Sequence, residues 1–347
     1  EYDVIVAQVR KNLEHLAPSD WYRKFAPNPG GAPRSLMVDG YPAIQDGTTV
    51  YVAAGNVSAG NAYTNIYLIS HNQNADPSTL RIFDRLVQDW EFNYSFTGAT
   101  AFDGSPAVCR NTSEPCMLDS HCAENDYCTS RKATIRRDVK RFTDTHSVAR
   151  SLEDYAVNHK FCSNSPQTPC VTNGQCPGNG ACVGVYPSLS AGSFVAGMST
   201  SRWPSWNETL STALGQEIAD DPLNFFGDCQ TANPGADPST CWDEQAREFS
   251  CPSDSFVYGY QTEGANSYRV MSHMESVGFI SWPLENTRIK LNLAQLCTGA
   301  PAAGFCGNNI REGAETCDSG FHNACPVGSN HPYTTGCRPN CGGFYDV

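Results

Sequence analysis

Hydrophobic positions follow two rhythms along the chain, steps of three and four in some stretches and strict alternation in others. In DVIVAQVRKNLEHL, Val6, Val9, Leu13 and Leu16 recur at helical steps and predict a helix with one buried face. TTVYVAAGNV and AYTNIYLIS are β-branched and aromatic runs separated by SAGN, which predicts a hairpin. DPSTLRIFDRLVQDW predicts a second helix, with Asp76 as N-cap and Pro77 at its first position. Leu80, Phe83, Val87 and Trp90 would share its inner face. Residues 1–107 therefore predict a small α/β unit.

The most regular pattern lies further on. Ile135, Val139, Phe142, Ala149, Leu152 and Ala156 form an apolar stripe over residues 131 to about 160, and Arg136, Arg137, Lys140, Arg141, Arg150 and Glu153 fall on what should be a solvated side. SWNETLSTALGQ predicts a short helix opened by a capping box of Ser205 and Glu208 and stopped by Gly215. SDSFVYGYQTEGANSYRVMSHME alternates on both sides of a TEGAN turn and predicts a late hairpin. A long amphipathic helix followed by an antiparallel hairpin gives an α+β fold class with the helix laid on the sheet.

Composition narrows the setting. A chain of 347 residues is long enough for two or three domains. A formal charge of −13 disfavours nucleic acid as a partner, because phosphate binding needs a basic surface. No run approaches ~18 consecutive apolar residues, so no direct membrane insertion of this segment is expected. The chain starts at Glu1 without a Met, which reads as a removed signal segment or an excerpt of a longer protein. Seventeen cysteines point to an oxidising compartment, hence a secreted or cell-surface, extracellular protein.

Eight of those cysteines form an internal repeat. Cys109, Cys116, Cys122 and Cys128 are spaced by six, five and five residues; Cys162, Cys170, Cys176 and Cys182 by seven, five and five, and Pro115 and Pro169 each precede the second Cys. Neither cluster has the tight two-to-four-residue spacing of a zinc knuckle, and the chain has no C-x-x-C redox pair. Both read as disulfide staples holding loops too polar to form a core. Four cysteines allow three pairings, which the spacing leaves open. Cys229, Cys241 and Cys251 are further disulfide candidates.

Two resemblances follow. RRDVKRFTDTHSVARSLEDYAVNH, then YPSL, DPLN and FVYGYQTEGANSYRVMSHME, in that order, resemble the globular part of type IV pilins and type II secretion pseudopilins over about residues 131–276. A pilin's long apolar first half-helix is missing; the polar Cys109 to Cys128 staple stands there. The resemblance implies a borrowed pilin-like domain. CGNNIREGAETCDSG followed by GCRPNC is similar to a cysteine-rich repeat of secreted bacterial surface proteins, carried by Cys306, Gly307, Asn308, Glu312, Glu315, Cys317, Asp318, Cys337 and Cys341. The expected divisions are an N-terminal α/β domain (1–107), a four-Cys module (108–130), a pilin-like domain (131–281) with a second module at 162–182, and a linker with the C-terminal repeat (282–347).

Motifs for chemistry are sparse. The chain lacks G-x-S-x-G, H-E-x-x-H and any phosphate loop. Some pseudopilins bind calcium in a late acidic loop; no such loop follows Tyr268, and Asp220, Asp221 and Asp228 are the remaining candidates for a calcium cofactor. Trp203 and Trp206 in RWPSWN would stack on a glycan or anchor a protein partner if exposed, but core is the favoured reading because large aromatics are mostly buried. The resulting expectation is a non-catalytic structural or adhesive surface protein. Its alternatives are an accessory subunit of a type IV pilus or type II secretion system and a secreted hydrolase with an unrecognised site.

Overall fold

A computed structural model describes residues 2–26, 32–93, 96, 98–189, 193–262, 264, 266–283 and 286–297. The cysteine-rich repeat expected at 306–341, with Cys306, Cys317, Cys337 and Cys341, lies outside the described residues. Helices and largely antiparallel sheets share the chain, which makes it α+β. It groups into two compact units, one of the residues up to Ser147 with Met274–Thr287, the other of Val148–His273 with the residues from Arg288 on. The division falls inside the long helix, so residues 131–147 group with the N-terminal sheet.

In the first unit β1 (Ile5–Lys11), α1 (Pro18–Phe25), β2 (Arg34–Val38), β3 (Tyr41–Asp46), β4 (Thr49–Ser58), β5 (Asn61–His71) and α2 (Pro77–Gln88) precede α3 (Arg131–Asn158). The five strands form one antiparallel sheet in the order β1-β5-β4-β3-β2. The predicted hairpin is β4–β5, turned by Ala59 and Gly60, both at positive φ as a two-residue connection requires. Alternation then sorts the side chains. Ile44, Tyr51, Ala53 and Ile66 pack with Leu16, Trp21 and Tyr22 around α1, while Val50 on the opposite face lines a groove with Phe83 and Val87 of α2.

Two expectations are corrected here. DVIVAQVRKNLEHL is a strand and not a helix: Ile5 to Lys11 pair with His71 to Asn65 of β5. Of the proposed inner face only Leu16 is buried, and Val6, Val9 and Leu13 are 43%, 58% and 74% exposed. The run V-I-V-A-Q-V satisfies a strand as well as a helix, and the edge of β5 decides between them. Asp76 does stand at the N-cap of α2 but makes no cap with its side chain. The Asp3 carboxylate does so instead, accepting from Asp76 N and Thr79 Oγ1, each at 2.8 Å.

α3 forms as predicted, and all six residues of its apolar stripe are buried. The solvated basic side does not exist as expected. Lys132, Arg137 and Arg141 are buried, along with Thr134, Asp138, Thr143, Asp144 and Thr145. The sheet approaches so closely that a Cβ on Gly55 would lie 2.2 Å from Cγ2 of Val139. A helix covered this way must neutralise its charges locally.

In the second unit β6 (Lys160–Cys162), β7 (Ser165–Pro169) and β8 (Cys182–Gly184) make a small sheet ordered β7-β6-β8. β9 (Met198–Thr200), α4 (Ser211–Leu214), β10 (Trp242–Asp243), β11 (Glu248–Phe249), β12 (Gly259–Thr262), β13 (Tyr268–Met271), β14 (Ile289–Lys290) and α5 (Ala294–Cys297) follow. β12 and β13 are the predicted late hairpin, inside a sheet ordered β14-β13-β12-β9. Val148, Ala149, Leu152 and Ala156 of α3 share a core with Tyr258, Tyr260, Tyr268 and Val270. Tyr268 Oη donates to Ala149 O at 3.1 Å. A wide turn at Trp206–Leu210 leads into α4, and Gly215 at φ 68° ends it. Ser205 does not cap this helix; its hydroxyl is bonded to Ser199 Oγ at 2.7 Å.

Candidate functional site

The two four-cysteine clusters close in the same way. Cys109 pairs with Cys122 and Cys116 with Cys128; Cys162 pairs with Cys176 and Cys170 with Cys182. First joins third and second joins fourth in both. The backbone repeats as well. The second Cys donates its N–H two residues ahead of the first, Cys116 N to Ala107 O and Cys170 N to Lys160 O. The residue after the first Cys donates to the residue before the fourth, Arg110 N to Tyr127 O and Ser163 N to Ala181 O.

Two polar side chains complete each copy, and the sequence reading missed them. Asp119 Oδ1 accepts from Cys128 N at 2.9 Å, and Asn173 Oδ1 from Cys182 N at 2.8 Å. His121 Nδ1 accepts from Met117 N at 3.3 Å, and Gln175 Oε1 from Val171 N at 2.5 Å. Aligning DSHC on NGQC would have revealed both, since each residue stands at a fixed offset before its third Cys. Cys109, Cys116 and Cys122, like Cys162, Cys170 and Cys176, bring their sulfurs within 4.8 Å of one another. Each of these sulfurs is already bonded to another sulfur, so none is a thiolate that could bind a metal. Cys229 pairs with Cys241, and Cys251 with Cys297.

The densest cluster of charge surrounds the first half of α3. Arg137 donates from Nε and Nη2 to the two oxygens of Glu275, both at 2.7 Å, and pairs through Nη1 with Asp119 of the first cysteine module. Its Nη2 also reaches Cys128 O at 3.0 Å, and its guanidinium lies over the Tyr127 ring. Arg141 bonds Asp138 at 3.0 Å and reaches Glu275 as well. Asp138 accepts from Glu275 N, Ser276 N and Ser276 Oγ, and Trp282 Nε1 donates to that hydroxyl at 3.0 Å. Burial alone would raise the Glu275 carboxyl, but Arg137 and then Arg141 pull it down to about 2. Asp138, buried and beside Glu275, is shifted upward by desolvation despite Arg141. Asp39 is held similarly, by Arg136 and by Lys132 at 3.2 Å.

Asp119, Asp138, Glu275 and Asp39 each face a guanidinium, an ammonium or backbone N–H groups. A groove of about 430 Å³ beside β2 and α2 is lined by Arg34, Leu36, Val50, Phe83, Asp84 and Val87 among others, and Asp84 is the single carboxylate on its wall.

The remaining candidates are reassigned. Trp203 and Trp206 are 2% and 0% exposed, so neither is a stacking platform for a ligand. Their Nε1 groups donate to Thr240 O at 2.9 Å and Ala219 O at 3.2 Å, which satisfies the polar edge of each buried ring. Asp220, Asp221 and Asp228, the calcium candidates, lie in the loops between α4 and β10. Asp221 accepts from Leu223 N, and Asp228 from Gln230 N and Thr231 Oγ1, the pattern of loop and helix caps. Among the described residues these three do not join a set of ligand-type side chains close enough to share an ion. No family model, curated protein or solved structure matches the chain.

Proposed function

We propose that the chain is a non-catalytic structural or adhesive component displayed outside the cell, carrying a pilin-like domain. The observation that carries this reading is the twice-built cysteine module, in which paired disulfides and repeated side-chain caps hold short polar loops that have no core of their own. Such bonds persist in oxidising compartments. Support also comes from the carboxylates around α3, which are consumed by internal partners.

A protein of this kind works by presenting a durable surface to a protein or glycan partner. Antibody raised against the chain should label intact producing cells without permeabilisation, and surface proteolysis of those cells should remove the label. Labelling that requires permeabilisation, with the module cysteines reduced, would refute the reading. A second reading, an accessory subunit of a pilus or secretion system, draws on α3, whose residues 148–156 pack against the tyrosines of an antiparallel sheet. A prepilin-type leader in the gene, with co-purification of the chain and the filament, distinguishes it.

A further inference from the structure

The five-stranded sheet ends at β1, and among the described residues β1 pairs with β5 alone. Asn72 N donates to Val4 O and Asn12 N to Thr64 O, which fixes the alternation. Val4, Val6, Gln8 and Arg10 turn their backbone groups to β5; Ile5, Ala7, Val9 and Lys11 turn theirs outward. Protein sheet edges are commonly blunted by proline, by a bulge or by extreme shortness. β1 has neither proline nor register shift over its seven residues. Val6 and Val9 on it, and Val4 just ahead of it, are 43%, 58% and 50% exposed.

The charges along this edge indicate what covers it. Asp3 stands ahead of the strand, and Arg10 and Lys11 close it. An antiparallel copy of the same segment is therefore complementary to it, whereas a parallel copy would set like charges side by side. We propose that β1 is the seam of a two-fold dimer of this chain, formed by antiparallel pairing of β1 with β1 of a second copy. With the axis at Ala7, Ala7 meets Ala7, Ile5 meets Val9, and Lys11 stands opposite Asp3, whose carboxylate keeps its bonds to Asn72, Asp76 and Thr79 and contributes its negative charge. Shifting the axis by two residues either way separates the basic end from the acidic one. The axis stands perpendicular to the sheet, so both copies keep the same faces on the same sides and the two sheets continue as one.

Sedimentation equilibrium on the full chain tests this, with hydrogen exchange of the β1 amides. The wild-type chain should sediment at twice its chain mass, with the amides of Ile5, Val9 and Lys11 slowed about tenfold or more relative to the monomer. Ala7→Pro should give a monomer that still unfolds cooperatively, its thermal transition lowered only by the loss of the dimer, because the N–H it removes does not serve β5 and edge strands accept proline there. Val9→Lys, at an exposed position, should also give a monomer by setting a cation against Ile5; it decides the matter if Ala7→Pro fails to fold. A wild-type monomer at every concentration, or a dimer that survives Val9→Lys with its β1 amides unprotected, overturns the proposal.

Discussion

His146 lies on α3 with its ring 4.4 Å from that of Phe142 and 4.8 Å from that of His15. Burial holds it uncharged and pushes its pKa down to about 4, against the raising effect of its bond to Phe142 O and with a further lowering from His15. In the unfolded chain the ring takes up its proton near the ordinary value of 6.5. Between those two values the unfolded state binds the extra proton, so this group makes stability fall as pH falls from 6.5 to 4, by roughly 3 kcal/mol across the window. Above 6.5 it contributes no pH dependence. Urea unfolding at pH 7 and pH 4.5 should show His146→Phe with a smaller loss between the two conditions than the wild-type chain. Glu275 has a lower window: its carboxyl is lowered from 4.5 to about 2, so its contribution is complete above 4.5 and disappears as pH falls toward 2. Arg141→Met would leave the fully buried Asp138 and the largely buried Glu275 short of a partner. A cost of about 3–5 kcal/mol is expected at neutral pH, read from the same urea curves.

At the scale of elements, the cysteine modules provide a matched pair for comparison. Asn173 caps Cys182 N, while Asp119 caps Cys128 N and also pairs with Arg137. Asn173→Ala should therefore cost about 1 kcal/mol and Asp119→Ala more, as measured by the denaturation midpoint. The contrast separates a module that stands by itself from one tied into a buried ion network. The same contrast explains what the sequence could tell. The β4–β5 hairpin, α2, α3 and the β12–β13 hairpin were legible because turn residues and apolar spacing lie within each segment. β1 was misread because its pairing partner lies about sixty residues away, and local spacing suited a helix equally well. The buried arginines were misread for a related reason. Arg137 and Arg141 look like a solvated face until Glu275, over a hundred residues later, is known to sit against them. Of the candidate site, the staples were legible as staples from spacing and composition. Their pairing and the role of Asp119 and Asn173 emerge only from geometry. The burial of Trp203 and Trp206 agrees with the tendency of large aromatics to be core, although flanking proline says nothing about which face is covered.

For the molecule as a whole, redox state should govern stability more strongly than any single core residue. Cys109–Cys122, Cys116–Cys128, Cys162–Cys176 and Cys170–Cys182 close loops whose sequence separations are 12 to 14. Loops of that size gain roughly 3 kcal/mol each from the entropy removed from the unfolded chain. Cys251–Cys297 spans a separation of 46, and links the loop before β12 to α5, so its loss should loosen the end of the second unit as well. Non-reducing peptide mapping should recover all six described pairs. Because the total of seventeen is odd, at least one of Cys306, Cys317, Cys325, Cys337 and Cys341 must either remain a thiol or bond outside the chain. Thiol titration in denaturant, without reductant, should then find about one reactive group in monomeric material and fewer where a covalent dimer forms. Cys109 and Cys128 are fully buried, whereas Cys122 and Cys182 are only partly so, and every module bridge includes at least one buried sulfur. Mild reductant should therefore leave the far-ultraviolet spectrum intact until the fold itself opens, after which all bridges should go together. Stepwise loss of the module bridges with secondary structure retained would mean that the core, and not the sulfur, sets the stability of these segments.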